Sequence, residues 1–358
     1  MLDFTSSLYL GFDHDSTTLR PWKQFTTGKP AALHTLPGTR SLAADLAMLA
    51  GFEAATLVPS TLHAFWDLFG LWPAGRCAIF VDGAAYQMGR WGAARAAARG
   101  AEVIDFRHHD VAALGAALRQ RRTGRHAVVL VDGYCPCCGS PAPLPDYLDL
   151  LKPNNGVLVV DDTQALGILG TGASEGMPLG RGGGGTMRWY GAKDPRAVLV
   201  ASLAKGFGAP LAVVAGTQEV VERFERTSET RLHCSPVSAP ALHAGEHAVA
   251  ENGYRGDRVR AALCSLIVRL KTSLQGSPLR PRGGMFPVQT FAGSRTAPVG
   301  YLQKRLAAAE IETLVLRDRT SGAPRLAVML TAKHSVRDVD RLASVLRAIE
   351  PVRESATA

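Results

Sequence analysis

Six apolar runs within the first 216 residues have the length and composition of buried strands. They are rich in Val, Ile and Leu, and most end in polar residues: 55–60, 77–83, 126–134, 156–164, 197–206 and 209–216. Such continuous runs are typical of strands covered on both faces, as in a parallel sheet flanked by helices. Segments with helical spacing lie between them, such as 89–100 and 110–121. The alternation predicts an α/β fold with a mostly parallel sheet.

The pattern changes after residue 216. Residues 217–275 show helical periodicity, and residues 286–358 alternate short strands with two amphipathic helices, which predicts a small α+β domain. We therefore expect three parts: a large domain over 37–265, a small C-terminal domain over 266–358, and an N-terminal segment, 1–36, that packs with the small domain. The glycine-rich segment 170–189 predicts a mobile loop.

The composition is that of an ordinary globular protein. Of the 358 residues, 46% are hydrophobic and 20% are charged, and no apolar run is long enough to suggest a membrane span. The net charge is +9, but the basic residues are mostly scattered arginines without interleaved aromatic residues, which argues against a nucleic-acid partner. The N-terminus does not have the pattern of a secretory signal. We expect a cytoplasmic protein that binds neither membrane nor nucleic acid.

Three of the six cysteines lie together in the sequence YCPCCG, at Cys135, Cys137 and Cys138. A zinc site would need a second pair of ligands at a suitable distance, such as CxxC or HxxxH. No such pair is evident in the sequence, so we predict no metal site. The segment is interpreted as a turn with reduced thiols, and redox sensitivity stays open.

Two strand ends carry the candidate chemistry, because ligands in open α/β sheets bind beyond the carboxyl ends of the strands. One strand ends in Asp161, with Gln164 three residues later, and another leads through Ser202 to Lys205. A lysine just past a buried strand is unusual, since burial of its charge is unfavourable unless the lysine is paired or chemically used. Desolvation lowers the pKa of a lysine, which suits an amine that forms an imine.

The sequences VDDTQALGILG (160–170) and SLAKGFG (202–208) together resemble the fold-type-I pyridoxal-phosphate (PLP) enzymes, and most closely the α-oxoamine synthase family. Further likenesses follow in the order of that family: 8–14, 37–60, 105–118, 131–147 and 325–346. The resemblance thus covers nearly the whole chain. It implies a fold-type-I transferase with a mostly parallel seven-stranded sheet, a small α+β C-terminal domain, a PLP cofactor and a homodimer.

The resemblance also assigns a role to each matching residue. Lys205 would hold PLP as an imine and later move the Cα proton, while Asp161 would pair with the pyridinium nitrogen. Ser202 and the backbone of a turn at a helix N-terminus would bind the phosphate. The other implied contacts are Ser60, Thr61 and Leu62 in that turn, Asp132 near the cofactor, Ser235 at the phosphate of the neighbouring subunit, and Arg325 at the substrate carboxylate.

Four positions depart from the family's pattern. Tyr86 stands where the family has a histidine over the cofactor ring; a tyrosine can stack on the ring but cannot act as an imidazole base. Gln164 replaces a second histidine and can still donate to the cofactor's 3-oxygen; cysteine desulfurases resemble this arrangement. Thr61 replaces a glycine, and Pro136 replaces a serine. The changes indicate altered chemistry or a different substrate.

The resemblance implies an acyltransferase-like enzyme that condenses an amino acid with an acyl thioester to an aminoketone. The departures leave open a PLP-dependent aminotransferase, β-lyase or other carbon–carbon bond-forming enzyme acting on an amino acid. A third alternative is a catalytically silent partner or a PLP-binding regulatory subunit, against which the presence of Lys205 argues. The amino acid, the acyl donor and the pathway are not identified by the sequence.

Overall fold

The computed structural model describes residues 1–15, 17, 24–122 and 124–349 of the chain. The strands are β1 (Leu2–Asp3), β2 (Ala54–Val58), β3 (Cys77–Asp82), β4 (Glu102–Phe106), β5 (His126–Asp132), β6 (Tyr134–Cys135), β7 (Ser140–Pro141), β8 (Val157–Asp161), β9 (Ala197–Ser202), β10 (Ala212–Gly216), β11 (Val288–Ala292), β12 (Ile311–Glu312), β13 (Leu314–Arg317) and β14 (Pro324–Met329). The helices are α1 (Thr39–Ala50), α2 (Thr61–Leu68), α3 (Gln87–Ala98), α4 (Val111–Gln120), α5 (Leu144–Leu151), α6 (Thr186–Trp189), α7 (Gln218–Thr227), α8 (Glu229–His233), α9 (Ala239–Glu251), α10 (Asp257–Ser273), α11 (Val299–Ala308) and α12 (Val336–Arg347). Among these helices, none is long and apolar enough to cross a membrane.

A seven-stranded sheet organises the fold. Its strand order is β2-β10-β9-β8-β5-β3-β4, and β10 alone among these strands runs antiparallel to its neighbours. All six apolar runs predicted as strands contain one, so the predicted α/β fold with a mostly parallel sheet is confirmed. The strands in 156–164 and 197–206 end at Asp161 and Ser202. The candidate residues that follow them therefore lie in turns beyond the sheet.

Strand β4 is the member of this sheet that the apolar pattern does not single out. Its residues alternate between partly buried and exposed positions up to Phe106. The alternation arises because β4 lies at the edge of the sheet and pairs with β3 alone. An edge strand accepts charged residues such as Glu102 and Asp105, which interrupt the apolar run. The seventh strand is therefore implied by the family resemblance and not by the pattern.

Helices cover both faces of the sheet, and alternate residues of each strand face opposite sides. Ile79 and Leu130 pack in one apolar cluster with helices α2 and α3, whereas Phe80 and Val129 pack in another with α4 and α5. Double covering explains the continuous apolar runs, because neither face of a central strand meets water.

The C-terminal part of the chain forms a second, antiparallel sheet in the order β11-β14-β13. Helix α11 packs on β14, and α12 packs on α10 and α11. The first residues join this region, since β1 pairs with β12 and the Met329 N–H donates to the Phe4 carbonyl (2.9 Å). Helix α10 runs without a break across the expected boundary at 265, and the domain limits stay a prediction.

The glycine-rich segment 170–185 is folded back on itself and anchored to the sheet by a buried aspartate. The Asp162 carboxylate accepts hydrogen bonds from the Thr186 N–H (2.8 Å) and the Thr186 hydroxyl (2.6 Å). Burial raises the pKa of Asp162 to about 6, although both hydrogen bonds oppose the rise. A Cβ at Gly133 would lie 2.1 Å from Asp162 Oδ1, so this contact needs a glycine.

We expect Thr186→Val to lower the free energy of unfolding by about 1–3 kcal/mol at about pH 8, because a buried carboxylate loses one donor. The folded-state pKa of Asp162 is raised, so the stability that Asp162 contributes falls as the pH rises through about 6. The hydroxyl stabilises the charged form, and its loss should therefore matter less at about pH 5, where the carboxyl is protonated.

Urea unfolding at the two pH values measures this difference. Thr186→Ser keeps the hydroxyl and should remain close to the parent protein. Equal losses for Thr186→Val at both pH values would contradict the assignment of the donor to a charged carboxylate.

Candidate functional site

Four charged side chains converge at the carboxyl ends of β5, β8 and β9. We call Asp132, Asp161, Lys205 and Arg319 the charged cluster. Asp132 and Asp161 stand opposite each other in the register of β5 and β8, and both residues are buried. Lys205 lies in the turn after β9, and Arg319 reaches in from the connection between β13 and β14. The parallel register thus places two carboxyls side by side, next to two cations.

Burial raises the pKa of both carboxyls of the cluster. Repulsion from Asp161 raises the pKa of Asp132 further, to about 7, while Arg319 opposes the rise through a hydrogen bond from Nη1 to Asp132 Oδ2 (2.8 Å). Asp161 accepts a hydrogen bond from the Thr163 N–H (3.1 Å), and attraction to Lys205 also favours its charged form. Asp161 is therefore a buried carboxyl whose charged form is disfavoured by burial and favoured by Thr163 and Lys205.

Lys205 combines burial with a mixed set of neighbouring charges. Burial lowers the pKa of its amine, attraction to Asp161 raises it, and repulsion from Arg319 lowers it. The net effect is a lowered pKa. The neutral form, which attacks aldehydes, is therefore more available at neutral pH than in a surface lysine.

The predicted phosphate turn lies at the N-terminus of α2. Ser60 is the N-cap residue, but its hydroxyl contacts His63 Nδ1 (2.9 Å) and caps no backbone N–H. Thr61 and Leu62 open the helix, where the macrodipole and unbonded N–H groups favour an anion. Thr61 is in the helix itself, a position that accepts a side chain, so the departure from glycine is compatible with the turn.

The phosphate turn and Lys205 lie on the same edge of the sheet. In the strand register, Val58 and Ser202 flank Ala212 of β10 on its two sides. The ends of β2 and β9 are therefore two strand spacings apart, about 10 Å. The turn after β2 begins beyond Val58, and the turn with Lys205 begins beyond Ser202. One small cofactor can bridge the distance between these two turns.

Thr163 joins the ends of β8 and β9 and is not among the residues predicted from the sequence. Its hydroxyl accepts a hydrogen bond from the Ser202 N–H (3.0 Å), and it also stabilises the charge of Asp161. The Ser202 oxygen accepts from the Ala204 N–H (3.2 Å), which leaves the Ser202 proton to donate to an anion. A threonine two residues after a strand-end aspartate is an Asx-turn signal that could have identified Thr163.

Tyr86 is held between Asp132 and Arg319. Its N–H donates to Asp132 Oδ1 (2.9 Å), and the guanidinium carbon of Arg319 lies 4.7 Å from the centroid of its ring. Arg319 also donates to the Ala84 carbonyl (2.7 Å). Tyr86 is 46% exposed, so one part of its ring remains open to a ligand. Arg319 was not predicted, because Arg317 and Arg325 nearby give the same local signal.

Gln164 is oriented by a residue from the N-terminal segment. The Tyr9 hydroxyl donates to Gln164 Oε1 (2.7 Å). Tyr9 is completely buried, and burial raises its pKa, so the phenol keeps its proton. Because Oε1 accepts this bond, the amide NH₂ of Gln164 is the end left to donate, as the resemblance requires. Tyr9 is a positioning residue that the sequence pattern did not identify.

The two remaining predicted residues, Arg325 and Ser235, have surroundings of their own. Arg325 lies in β14, and its Nε donates to Asp318 (3.4 Å). Ser235 is exposed and borders a narrow cleft together with Pro59 and His63 of its own chain. Ser235 is thus near the phosphate turn of the same chain, and its contact with a neighbouring subunit stays a prediction.

The site could hold a phosphorylated aromatic aldehyde such as PLP. Lys205 offers a partly buried amine, Asp161 a buried carboxyl for a ring nitrogen, and the first turn of α2 a set of N–H groups for a phosphate. Gln164 and Ser202 offer free donors beside them. These observations match each functional group of PLP with a residue of suitable chemistry.

Comparison with known proteins bears on the fold of the chain and on its relationships. No protein-family model matches the chain. The chain is 30% identical over 260 residues to an 8-amino-7-oxononanoate synthase of Marinobacter nauticus. This match covers 72% of the chain but 63% of the relative's own length.

Several solved structures share the fold. A serine palmitoyltransferase of Sphingomonas wittichii has a TM-score of 0.82 at 18% identity and covers 96% of this chain and 86% of its own. An 8-amino-7-oxononanoate synthase of Francisella tularensis has a TM-score of 0.74 at 16% identity and covers 97% of both chains. A structure of SPT with a PLP internal aldimine has a TM-score of 0.83 at 15% identity and covers 97% of this chain and 86% of its own.

These solved structures, at such low identities, bear on the fold, and the sequence match bears on the relationship. Both agree with the family that the motifs of the sequence resemble. The protein is therefore a relative of the α-oxoamine synthases, with the fold of the fold-type-I PLP-dependent transferases.

Proposed function

We propose that this protein is a PLP-dependent, acyltransferase-like enzyme that condenses an amino acid with an acyl thioester to an aminoketone. The observation that carries the proposal is the electrostatic attraction between a partly buried Lys205 and a buried Asp161 at neighbouring strand ends. The sequence relationship to an 8-amino-7-oxononanoate synthase supports the reaction class. When bound, PLP supplies the electron sink that weakens the bonds at the amino acid's Cα.

Each residue of the site would have its own role in binding the cofactor or moving a proton. Lys205 binds the cofactor aldehyde and moves the Cα proton, and Asp161 keeps a negative charge at the ring nitrogen. Ser202 and the N-terminus of α2 bind the phosphate. Gln164, oriented by Tyr9, donates a hydrogen bond to the cofactor's 3-oxygen.

Tyr86 and Gln164 favour the alternative of an aminotransferase, a β-lyase or another carbon–carbon bond-forming enzyme. Neither side chain is an imidazole, and Tyr86 is held by Arg319 instead of by a proton-accepting partner. Proton transfer at Cα then rests on Lys205. The retained lysine supports an active enzyme over a silent partner.

A homodimer and a cytoplasmic location are part of the same proposal, and both rest on the resemblance alone.

The proposed condensation can be tested by the release of free thiol. Holoenzyme given amino acids and acyl thioesters should release free thiol with at least one pair, and only when both substrates are present. A thiol-reactive dye measures the release, and Lys205→Ala should reduce it to the background rate. No release with any pair would contradict the condensing reaction, and conversion of the cofactor to its pyridoxamine form by an amino acid alone would favour the aminotransferase.

The second prediction concerns the amine of Lys205. In cofactor-free protein, its rate of reaction with salicylaldehyde should have a midpoint below pH 10.5, because burial lowers the pKa. Asp161→Asn removes the charge that raises this pKa, so the midpoint should move to lower pH. Salicylaldehyde lacks the ring nitrogen and the phosphate, which separates this effect from cofactor binding. Borohydride reduction and peptide mapping measure the modification at Lys205.

The matched control for that experiment is Asp105→Asn, since the Asp105 carboxylate is exposed and paired with Arg90. It should leave the midpoint unchanged. An unchanged midpoint in Asp161→Asn would show that the charge of Asp161 does not act on Lys205.

The third prediction concerns the substrate carboxylate. The resemblance assigns it to Arg325, whose Nη1 is buried and has no hydrogen-bond partner among the described residues, while its Nε contacts Asp318 at 3.4 Å. Arg319 is already engaged by Asp132 and by the Ala84 carbonyl. We therefore expect Arg325→Lys to raise the KM for the amino acid about 10- to 100-fold, the equivalent of one charged hydrogen bond. Arg319→Lys should change KM much less. The reverse order in steady-state kinetics would assign the role to Arg319.

A further inference from the structure

A second cluster of reactive side chains lies at the carboxyl edge of the sheet, outside the proposed cofactor site. Cys135, Cys138 and His108 place one potential ligand atom each within 4.8 Å of one another. Asp82, His108 and His109 form an overlapping group under the same limit. We call these five residues the thiol–imidazole cluster. None of its members has a role in the proposed reaction.

A tight hairpin brings the two thiols together. Strand β6 ends at Cys135, and the Gly139 N–H donates to the Cys135 carbonyl (2.9 Å) across the turn. Gly139 has a φ of 76°, a left-handed conformation that a glycine adopts without strain. The turn leaves two residues between Cys135 and Cys138, and this C-x₂-C spacing is typical of zinc ligands.

A buried carboxylate orients the ring of His108 and holds the backbone of His109. Asp82 Oδ1 contacts His108 Nδ1 (2.6 Å), and Asp82 Oδ2 accepts a hydrogen bond from the His109 N–H (3.0 Å). His109 has a φ of 55°, and the rings of the two consecutive histidines lie 3.7 Å apart. With Nδ1 engaged by Asp82, His108 presents Nε2 to the thiols. Metal-binding histidines characteristically have a carboxylate on the other ring nitrogen in this way.

The distances agree with a tetrahedral zinc ion. Bonds of about 2.0–2.1 Å to nitrogen and about 2.3 Å to sulfur separate the two ligand atoms by about 3.6 Å at a tetrahedral angle. His108 Nε2 lies 3.4 Å from Cys138 Sγ, and His109 Nδ1 lies 3.8 Å from the same sulfur. Cys137 differs, because its sulfur contacts the Arg317 carbonyl (3.7 Å). All three thiols of the hairpin are free.

We propose that Cys135, Cys138 and His108 bind a zinc ion, with His109 becoming the fourth ligand by a rotation of its ring and Asp82 as the carboxylate that orients His108. Binding releases the protons of the two thiols. The ion would join the end of β3, the turn after β4 and the hairpin after β5, three residues beyond Asp132. As a structural metal, it would therefore hold these three segments together beside the proposed cofactor site.

This proposal reverses the expectation drawn from the sequence. No second CxxC or HxxxH pair accompanies Cys135 and Cys138. The fold supplies the missing ligands from the adjacent residues His108 and His109, on a different loop. Their spacing along the chain carries no metal-binding signal.

The test is metal analysis of the full chain purified without chelator, together with substitution by cobalt. We expect stoichiometric zinc by mass spectrometry, and a cobalt form with thiolate-to-metal charge-transfer absorption and the strong visible bands of a tetrahedral site. Cys138→Ser and His108→Gln should lose the metal. Cys137→Ser is the matched control within the same hairpin and should retain it, as should the distant Cys264→Ser.

Asp82→Asn keeps every ligand and should weaken zinc binding about 10- to 100-fold in competition with a chromophoric chelator. The cobalt spectrum of the parent protein does not depend on any variant folding. Free thiols without bound metal, a Cys135–Cys138 disulfide in the purified protein, or equal metal loss in Cys137→Ser and Cys138→Ser would each overturn the proposal.

Discussion

The register of β5 against β8 sets two buried carboxyls, Asp132 and Asp161, side by side, and much of the surrounding structure serves to make that arrangement tolerable. Buried anions are unfavourable unless they are paired and hydrogen-bonded. Lys205 and Arg319 supply the positive charge, and Thr163 supplies a donor. The two carboxyls therefore have different partners. Asp161 attracts the charge of Lys205, whereas Asp132 accepts hydrogen bonds from Arg319 and from the Tyr86 N–H.

The site is assembled from segments that are far apart in sequence. The N-terminal segment contributes Tyr9, which orients Gln164, and the connection between β13 and β14 contributes Arg319. Both segments belong to the region built around the C-terminal sheet. Any change in how that region packs on the large sheet would therefore act on the amide of Gln164 and on the ring of Tyr86 together.

Two polar networks lie at the carboxyl ends of the strands. Asp162 ties the glycine-rich segment to β8 through Thr186, while Asp82 ties the histidine turn to β3. Each network uses a strand-end aspartate next to the positions that serve the proposed chemistry. The carboxyl edge of a parallel sheet is suited to this, because the strand ends converge there and leave several loops within hydrogen-bonding reach. A metal in the thiol–imidazole cluster would make one of these borders rigid.

The sequence by itself determined the α/β class, six of the seven strands and the position of Asp161 and Lys205 beside the ends of buried strands, since continuous apolar runs and residues beyond strand ends are local signals. Strand β4 was not predicted from the apolar pattern, because an edge strand needs no continuous apolar run. Tertiary structure alone decided that Arg319 and not Arg325 meets Asp132, that Tyr9 orients Gln164, and that His108 faces Cys138. These contacts join residues 30 to 187 positions apart. Packing of whole elements sets such distances, and no local pattern encodes them.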